Sequence, residues 1–428
     1  MKRLPYTLIT LKNGLSLIMQ VTPASSVGLS IAVGAGSRFE TDQTAGTAHF
    51  LEHMLFEGTK HFSSAKKIAE YIENVGGKSG AWTDKEYVLY NVKAPKQHLE
   101  KSFAFMSEIL FHSTLSTNAI QKEKGIILEE IKRKMDNSEM EIWDNWFEWV
   151  WGKYQPLGRS TLGDEITLQK VTRKQLQDYL NNFYHPTNMA IAVVGNFSLR
   201  DAESNAVKYF GHEKLSKTIN FQRAIFTEKK IHTQVVRSDT QQIHLMLGFA
   251  TDVSYTHKDR FVLQLIADLL SAGTSSRLFH KIIYEKGIAY SSWVRSWTFT
   301  DNGLFIIYGA FSPKNIFLAI KIILGELKKV KEENVSVKEL LETKEKAKAN
   351  INFSLETTDA LSNWYALQQI TENRVMTIEE HEKRIDNVTA EDIIRVAREY
   401  FFAKNMYVTI KGPMIENVRS IEKLLSTL

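Results

Sequence analysis

The residues His49, Glu52 and His53 have the types and the spacing of a metal-dependent hydrolytic site. They lie in Ala45–Gly58 (AGTAHFLEHMLFEG), which we predict to be a helix because its apolar residues recur with helical spacing and Gly58 can end it. Side chains four residues apart share a helix face, so His49 and His53 project side by side. Two imidazoles one turn apart can chelate one zinc ion, and Glu52 beside them can accept a proton from water. The alternative for this motif taken alone is a surface helix with two solvated histidines.

A catalytic zinc takes three protein ligands and leaves one position for water. Because the chain has no cysteine, the third ligand must be His, Asp or Glu. The segment Leu115–Met135 is predicted to be a second helix, in which Glu123 and Glu130 lie two turns apart on nearly the same side. Glu129 is rotated by roughly 100° from Glu130. Glu130 is therefore a candidate ligand and Glu123 a candidate support for the site, although such a charged helix is also typical of an ordinary surface.

The elements that must position these side chains follow from local patterns. Alternating polarity around Asn13 and Gly14 predicts a hairpin within Tyr6–Val33. Ser79–Ala94 is predicted to form two strands. A further helix is expected at Ser63–Val75, with Ser63 or Ser64 as its cap. The remaining predicted elements are helices at Gln97–His112, Leu115–Asn137 and Val171–Phe183 and a buried strand at Met189–Val194.

An internal repeat organises the whole chain. The pattern of Val171–Gly195 recurs in Val388–Gly412 at a constant offset of 217 residues without a gap. A helix followed by a strand therefore closes each half, so we expect an α+β fold of two homologous domains, each an antiparallel-rich sheet packed with helices. The predicted division is residues 1–215 for the zinc-binding domain, 216–230 for a linker and 231–428 for a structural, substrate-contacting domain without a metal motif.

The spacing of His49, Glu52 and His53, followed by Glu123 and Glu130, resembles that of the pitrilysin-like (inverzincin) metallopeptidases of the insulinase family. Further landmarks of that family are matched by GAGSRF (34–39), GTAHFLEHMLFEGT (46–59), LGRSTLG (157–163), YHPTNMAIAVVG (184–195) and GTSSRL (273–278). The chain length is similar to that of the short branch, which includes the mitochondrial processing peptidase and bacterial homologues. The resemblance implies one Zn²⁺ per chain held by His49, His53 and Glu130, with Glu52 as the base and Glu123 as the supporting acid.

The resemblance also implies where a peptide would bind. The residues matching the family's substrate-pairing strand edge are Gly80, Ala81, Trp82 and Thr83, with Gly80 where relatives often carry Asn. An unpaired strand edge can bind an extended peptide through its backbone, although an ordinary hairpin is the alternative. The four tryptophans of Glu139–Gly152 could line a peptide cavity, but packing is the favoured interpretation.

The second half departs from the family in two ways. If Gly58 is aligned with Gly273, the metal motif falls on Gln264, Ala267 and Asp268, so we expect no second metal site. The resemblance further implies an Arg/Tyr pair that holds substrate carbonyls. Tyr290 matches the tyrosine, but the arginine position is Ile283, which cannot donate a hydrogen bond. In the two-subunit members a partner supplies this pair, so a heterodimer with a homologous subunit is expected, with a homodimer as the alternative.

The composition excludes several classes of protein. A chain of 428 residues with 43% hydrophobic content can build two cores. The net charge of +5 is small and dispersed, so nucleic-acid binding is not expected. The absence of cysteine excludes disulfides and thiolate metal sites. We see neither a signal peptide nor an apolar run of about 20 residues, so we expect no membrane span and a cytoplasmic location, or an organelle matrix if a transit segment has been removed.

The expected function is that of a zinc-dependent endopeptidase acting on extended or unstructured peptides. The chain would be the zinc-carrying subunit of a two-subunit peptidase. The alternative from another class is a non-catalytic structural or partner subunit of a related complex, although such relatives usually lose motif residues. A third alternative is a metal-dependent hydrolase of small molecules, which the predicted strand edge supports little.

Overall fold

The computed structural model describes residues 6–213, 222–228, 233–413 and 418–428. The strands are β1 (Thr7–Thr10), β2 (Ser16–Val21), β3 (Ser26–Val33), β4 (Lys78–Thr83), β5 (Val88–Pro95), β6 (Met189–Gly195), β7 (Thr233–Arg237), β8 (Ile243–Thr251), β9 (Ala289–Thr298), β10 (Gly303–Phe311) and β11 (Met406–Gly412). The helices are α1 (Thr47–Leu55), α2 (Ala65–Glu73), α3 (Leu99–Phe111), α4 (Thr117–Asp136), α5 (Ser138–Trp151), α6 (Glu165–Lys170), α7 (Arg173–Phe183), α8 (Leu199–Phe210), α9 (Arg260–Ser271), α10 (Arg277–Phe279), α11 (Ile316–Glu332), α12 (Val337–Ser354), α13 (Thr358–Glu372), α14 (Ile378–Asp386), α15 (Ala390–Tyr400) and α16 (Val418–Leu425).

The chain divides into two compact units, each assembled from three segments. Unit 1 comprises Met1–Lys132, Arg159–Gln222 and Phe353–Thr377, and unit 2 comprises Arg133–Gly158, Arg223–Asn352 and Ile378–Leu428. The α+β class with two sheets is confirmed. The units differ from the division predicted at 1–215 and 231–428, because α5 of the first half belongs to unit 2 and α13 of the second half belongs to unit 1. Of the predicted linker 216–230, only residues 222–228 lie within the described part of the chain.

Unit 1 is built on a six-stranded sheet in the order β1-β2-β6-β3-β5-β4. All neighbouring pairs are antiparallel except β2 and β6. The predicted hairpin is confirmed, since β1 pairs with β2 around Gly14, which has a φ of 83°. The cap left open between Ser63 and Ser64 is Ser64, whose side chain accepts a hydrogen bond from the backbone of Lys67. Strand β4 forms one edge of this sheet and pairs only with β5 among the described strands.

The two faces of β3 pack against different layers. The odd-numbered residues Val27, Leu29, Ile31 and Val33 join the main hydrophobic core of unit 1. The even-numbered residues face α13, which packs on β3 and β6. A Cβ at Gly28 would lie 2.5 Å from a carbonyl oxygen of α13, so only glycine allows this close approach. Period-two alternation thus places a core on one face of the sheet and a helix from the distant part of the chain on the other.

Unit 2 is built on a five-stranded sheet in the order β7-β11-β8-β10-β9. Helix α5 packs on β11 and β8, and α9 packs on β9. The tryptophans of α5 serve packing, as expected: Trp146 and Trp151 are fully buried within the aromatic cluster of this unit. Trp143 stacks on Trp293 of β9, with ring centroids 5.2 Å apart.

The internal repeat has a structural counterpart in each unit. Helix α7 and strand β6 recur as α15 and β11 with both pairs of boundaries shifted by 217 residues. The threonines before the two helices, Thr172 and Thr389, both act as side-chain caps. Asn188 and Asn405 each donate two hydrogen bonds from Nδ2 to backbone carbonyls, which fixes the turn between helix and strand. The predicted homology of the two halves therefore extends to individual hydrogen bonds.

No helix in the described part of the chain is both long enough and apolar enough to cross a bilayer.

Candidate metal centre

Helix α1 carries the motif and has two faces of different chemistry. Phe50, Leu51 and Leu55 are fully buried in the core of unit 1. His49 and His53 lie one turn apart, with ring centroids 4.6 Å apart. Because the apolar residues fix the rotation of the helix, both imidazoles project toward α4.

The side chains of His49, His53 and Glu130 form the one group of three potential metal ligands among the described residues. Nε2 of His49 and Nε2 of His53 each lie 3.7 Å from the same carboxylate oxygen of Glu130. Ligand atoms at 2.0–2.2 Å from a tetrahedral zinc lie roughly 3.3–3.5 Å apart, so small side-chain adjustments would let all three bind one ion. Two neutral nitrogens and one carboxylate oxygen form a donor set that zinc accepts, and three ligands leave a coordination position open.

Glu123 holds His53 from the side away from Glu130. Its Oε2 lies 3.0 Å from Nδ1 of His53, and its side chain is only 4% exposed. Burial acts against the shift, but the hydrogen bond with His53 and the nearby Lys122 lower the pKa of Glu123. Burial likewise opposes a charged imidazole, yet Glu123 together with Glu52 and Glu130 raises the pKa of His53. An ionised Glu123 therefore directs the Nδ1 proton of His53 toward itself and leaves Nε2 available for a metal.

The neighbouring residues Glu129 and Glu130 have different environments. Glu130 is 30% exposed in its side chain and lies against both histidines. Glu129 is 73% exposed and pairs with Lys132, one turn along the helix, at 2.7 Å. The rotation expected from helix geometry thus separates a candidate ligand from a surface charge.

Glu52 lies next to the three ligand candidates but outside their cluster. Its Oε2 accepts a hydrogen bond from Oγ1 of Thr83, the last residue of β4. Burial raises the pKa of Glu52, and Glu130 adds to this, while Thr83 and His53 act in the opposite direction. A carboxylate with a raised pKa accepts protons more readily, which suits a general base.

The predicted peptide-binding residues lie on the edge strand β4. Gly80 and Ala81 are half-buried, and Trp82 is 37% exposed. Because β4 pairs on one side only among the described strands, its other edge offers backbone groups in the arrangement that strand addition uses. The hydroxyl of Thr83 contacts the candidate base, a role that the sequence did not predict.

The second-half residues lie in unit 2. Tyr290 is the second residue of β9 and is 90% exposed. Ile283 lies in a π-helical stretch, His280–Glu285, that continues α10. Arg277, on α10, donates from Nε and from one terminal nitrogen to the two carboxylate oxygens of Glu339, both at 2.6 Å. This arginine is therefore already engaged in a bidentate ion pair.

Glu40 was not anticipated from the sequence, although the structure joins it directly to α1. Its two carboxylate oxygens accept hydrogen bonds from the backbone of Gly46 and Ala48. The signal that could have pointed to such a residue is Gly46 itself, because a helix that begins after glycine has no capping side chain at that position.

Comparison with known proteins places these features in a family. Residues 16–165 match the family model described as insulinase (peptidase family M16), and residues 170–347 match the model described as the peptidase M16 inactive domain. The chain is 31% identical to "Uncharacterized zinc protease YmxG" of Bacillus subtilis (strain 168), over 92% of this chain and 95% of that protein. The chain belongs to peptidase family M16. A second relative, "Uncharacterized zinc protease" of Rickettsia felis (strain ATCC VR-1525 / URRWXCal2), is 29% identical over 92% of this chain and 95% of that protein.

Solved structures share the fold of this chain. The crystal structure of a protease from Helicobacter pylori superposes with a TM-score of 0.89 at 23% identity, covering 96% of this chain and 100% of that chain. A chain of complex III2 from Candida albicans gives a TM-score of 0.82 at 16% identity, covering 98% and 99%.

M16 relatives that carry the name zinc protease support a metallopeptidase in general. The match of residues 170–347 to the inactive domain agrees with the distribution of ligands, because the described residues of unit 2 contain no group of three metal-ligating side chains.

Proposed function

We propose that this M16 protein is a zinc-dependent endopeptidase that hydrolyses extended or unstructured peptides. The observation that carries the proposal is the convergence of Nε2 of His49 and Nε2 of His53 on one oxygen of Glu130, with Glu52 beside them. We assign one zinc ion per chain to these three ligands. When bound, zinc supplies Lewis-acid chemistry that acidifies water and polarises a carbonyl group.

The residues around the ion have separate tasks in this proposal. Glu52 accepts the proton of the attacking water and delivers it to the leaving amine. Glu123 fixes the ring of His53 and keeps its Nε2 directed at the ion. The free edge of β4, from Gly80 to Thr83, pairs with the backbone of the substrate and therefore favours peptides that lack their own structure.

The test of this function is a pair of glutamine substitutions on a quenched-fluorescent, unstructured peptide. Glu52→Gln is nearly isosteric and keeps an acceptor for Thr83, but it cannot take up the proton, so the variant should retain zinc and lose hydrolysis. Glu129→Gln removes the same charge from an exposed position and should behave as the wild type. Turnover of Glu52→Gln close to that of the wild type would rule out Glu52 as the base, and a zinc-free wild type would favour the non-catalytic subunit.

We further infer that the chain is the zinc-carrying subunit of a two-subunit peptidase, with a homologous partner that supplies an Arg/Tyr pair. The support is that Ile283 occupies the family's arginine position in a chain whose metal motif is complete. Arg277 is a poor substitute because its guanidinium is held by Glu339. Loss of one donor to the substrate carbonyl typically costs about 10²–10³ in turnover.

Reconstitution tests the partner proposal. The isolated chain should be weakly active, and a homologous chain with arginine at the position of Ile283 should raise turnover even without its own metal site. Ile283→Arg should partly replace the partner, whereas Ile283→Met should not. Full activity of the isolated chain, unchanged by the partner and by Ile283→Arg, would contradict the two-subunit arrangement. The cytoplasmic location stays a prediction.

A further inference from the structure

The helix that carries the metal motif begins after a glycine in the left-handed conformation. Gly46 precedes α1 with a φ of 85°. Because it is a glycine, it has no side chain that could cap the helix. A Cβ here would lie 2.6 Å from the carbonyl oxygen of Leu162, so a capping Ser, Thr, Asp or Asn does not fit. Side-chain caps of the ordinary kind begin other helices at Ser64, Asn137, Asp164, Thr172, Ser198, Thr357 and Thr389.

Glu40 takes the place of the missing cap from six residues away. Its Oε2 accepts a hydrogen bond from the backbone N–H of Gly46 at 2.8 Å, and its Oε1 accepts one from that of Ala48 at 2.7 Å. The residue is only 4% exposed. The two oxygens of one buried carboxyl group therefore fix two backbone amides of the same turn.

The segment before Glu40 is itself anchored. The backbone N–H of Arg38 donates to the carbonyl of Lys85 at 2.8 Å, and its buried guanidinium pairs with Glu86 at 2.7 Å. Lys85 and Glu86 lie in the turn that follows β4, whose last residue, Thr83, contacts Glu52. One continuous set of contacts therefore joins the first turn of α1 to the end of the edge strand.

The group that caps α1 is an ionisable side chain in a buried position. Burial raises the pKa of Glu40 to about 8, although the two backbone N–H groups and the positive charges of Lys85 and Arg159 act in the opposite direction. The capped amides lie directly beside the metal motif, because Ala48 precedes His49.

The two candidate histidine ligands are oriented by different contacts. His53 lies deeper in α1, and Glu123 orients its ring directly. His49 lies in the first turn, so the direction of its ring depends on the backbone of that turn. Glu40 accepts hydrogen bonds from two amides of this backbone.

We propose that Glu40 is a positioning residue for the metal centre, fixing the first turn of α1 and thereby the direction in which His49 meets the ion. This proposal rests on the proposed zinc-peptidase function. Glu40 does not touch the reacting atoms; it acts through the backbone next to His49.

The test measures zinc affinity by competition with a chromophoric chelator and the visible spectrum of the Co²⁺-substituted protein. Glu40→Gln keeps the shape of the side chain but offers only one acceptor oxygen, so the dissociation constant for zinc should rise about tenfold. Losses of this size are typical when a residue that orients a metal ligand is replaced. The Co²⁺ spectrum should change, and with saturating zinc kcat should fall while KM stays constant. Glu40→Asp, which keeps the carboxyl group but reaches only one amide, serves if Glu40→Gln does not fold.

Ser198→Ala is the matched control, because it removes the side-chain cap of α8 in the same unit. It should lower Tm by about 2–4 °C without changing zinc affinity or the Co²⁺ spectrum. If the Glu40 variants lower Tm but leave both metal readouts at their wild-type values, Glu40 is an ordinary structural cap and the proposal is wrong. A wild-type protein that binds no zinc would instead overturn the proposed function, so the two failures are distinguishable.

Discussion

Substitution of Glu123 tests how far a residue outside the ligand set controls the metal. Its hydrogen bond with His53 is charge-assisted and partly buried, and hydrogen bonds to charged groups contribute about 1.5–3 kcal/mol. At about 1.4 kcal/mol per tenfold change, the expected loss of zinc affinity is roughly ten- to a hundredfold, which agrees with losses seen on removing such supports. Glu123→Gln keeps an acceptor oxygen for Nδ1 of His53 and should lie near tenfold. Glu123→Leu removes the acceptor and should approach a hundredfold.

The assay is competition between each variant and a chromophoric zinc chelator at fixed pH. Glu123 also lies 3.4 Å from Lys122, so Lys122→Met controls for the loss of that ion pair and should leave zinc affinity unchanged. Glu129→Gln controls for removal of a negative charge from the same helix. If Glu123→Leu binds zinc as tightly as the wild type, the hydrogen bond to His53 does not orient a ligand, and the assignment of this centre is wrong.

Three further outcomes are expected. Glu130→Gln should lose most of its zinc by elemental analysis while Glu129→Gln keeps it; the reverse result would move the ligand to Glu129. Apparent zinc affinity should fall as pH is lowered through the raised pKa of His53, because protons compete for the ligand, and Glu123→Gln should move this fall to lower pH; a pH-independent affinity would contradict it. Burial raises the pKa of Asp268 to about 6 from 3.8, so the folded state keeps a proton that the unfolded state loses, and stability falls as pH rises through this range. Asp268→Asn should therefore raise stability at pH 8 by up to about 3 kcal/mol and leave it nearly unchanged at pH 3; equal unfolding curves at pH 8 would refute this.

The features that the sequence predicted correctly are those encoded within one element. A helix has a fixed angle per residue, so the spacing of His49 and His53, or of Glu129 and Glu130, determines which side chains share a face. The repeat at offset 217 was visible because caps, apolar strand residues and the turn asparagine recur at the same positions. Local patterns of this kind act before any tertiary contact forms.

The features that the sequence did not predict depend on contacts between distant segments. Ser30 donates to or accepts from Ser362 across 332 residues, and this polar contact joins α13 to the sheet of unit 1. Nothing in the sequence of α13 itself indicates which sheet it will cover, so its place in unit 1 could not be predicted from a local pattern. The same holds for Glu40, whose role became apparent only when its oxygens were located against Gly46 and Ala48.

The two units show how one fold can keep or lose a site. Helix α9 corresponds to α1 in the alignment of Gly273 with Gly58, and it places Asp268 where unit 1 has His53. Among the described residues, Oδ2 of Asp268 has no hydrogen-bond partner, whereas Nδ1 of His53 is held by Glu123. Burial of a carboxyl oxygen without a partner is unfavourable when the group is charged, which agrees with the raised pKa of Asp268. The helix and sheet that both units share therefore do not by themselves provide a group of metal ligands; in unit 1 the candidate ligand His53 is in addition held by Glu123.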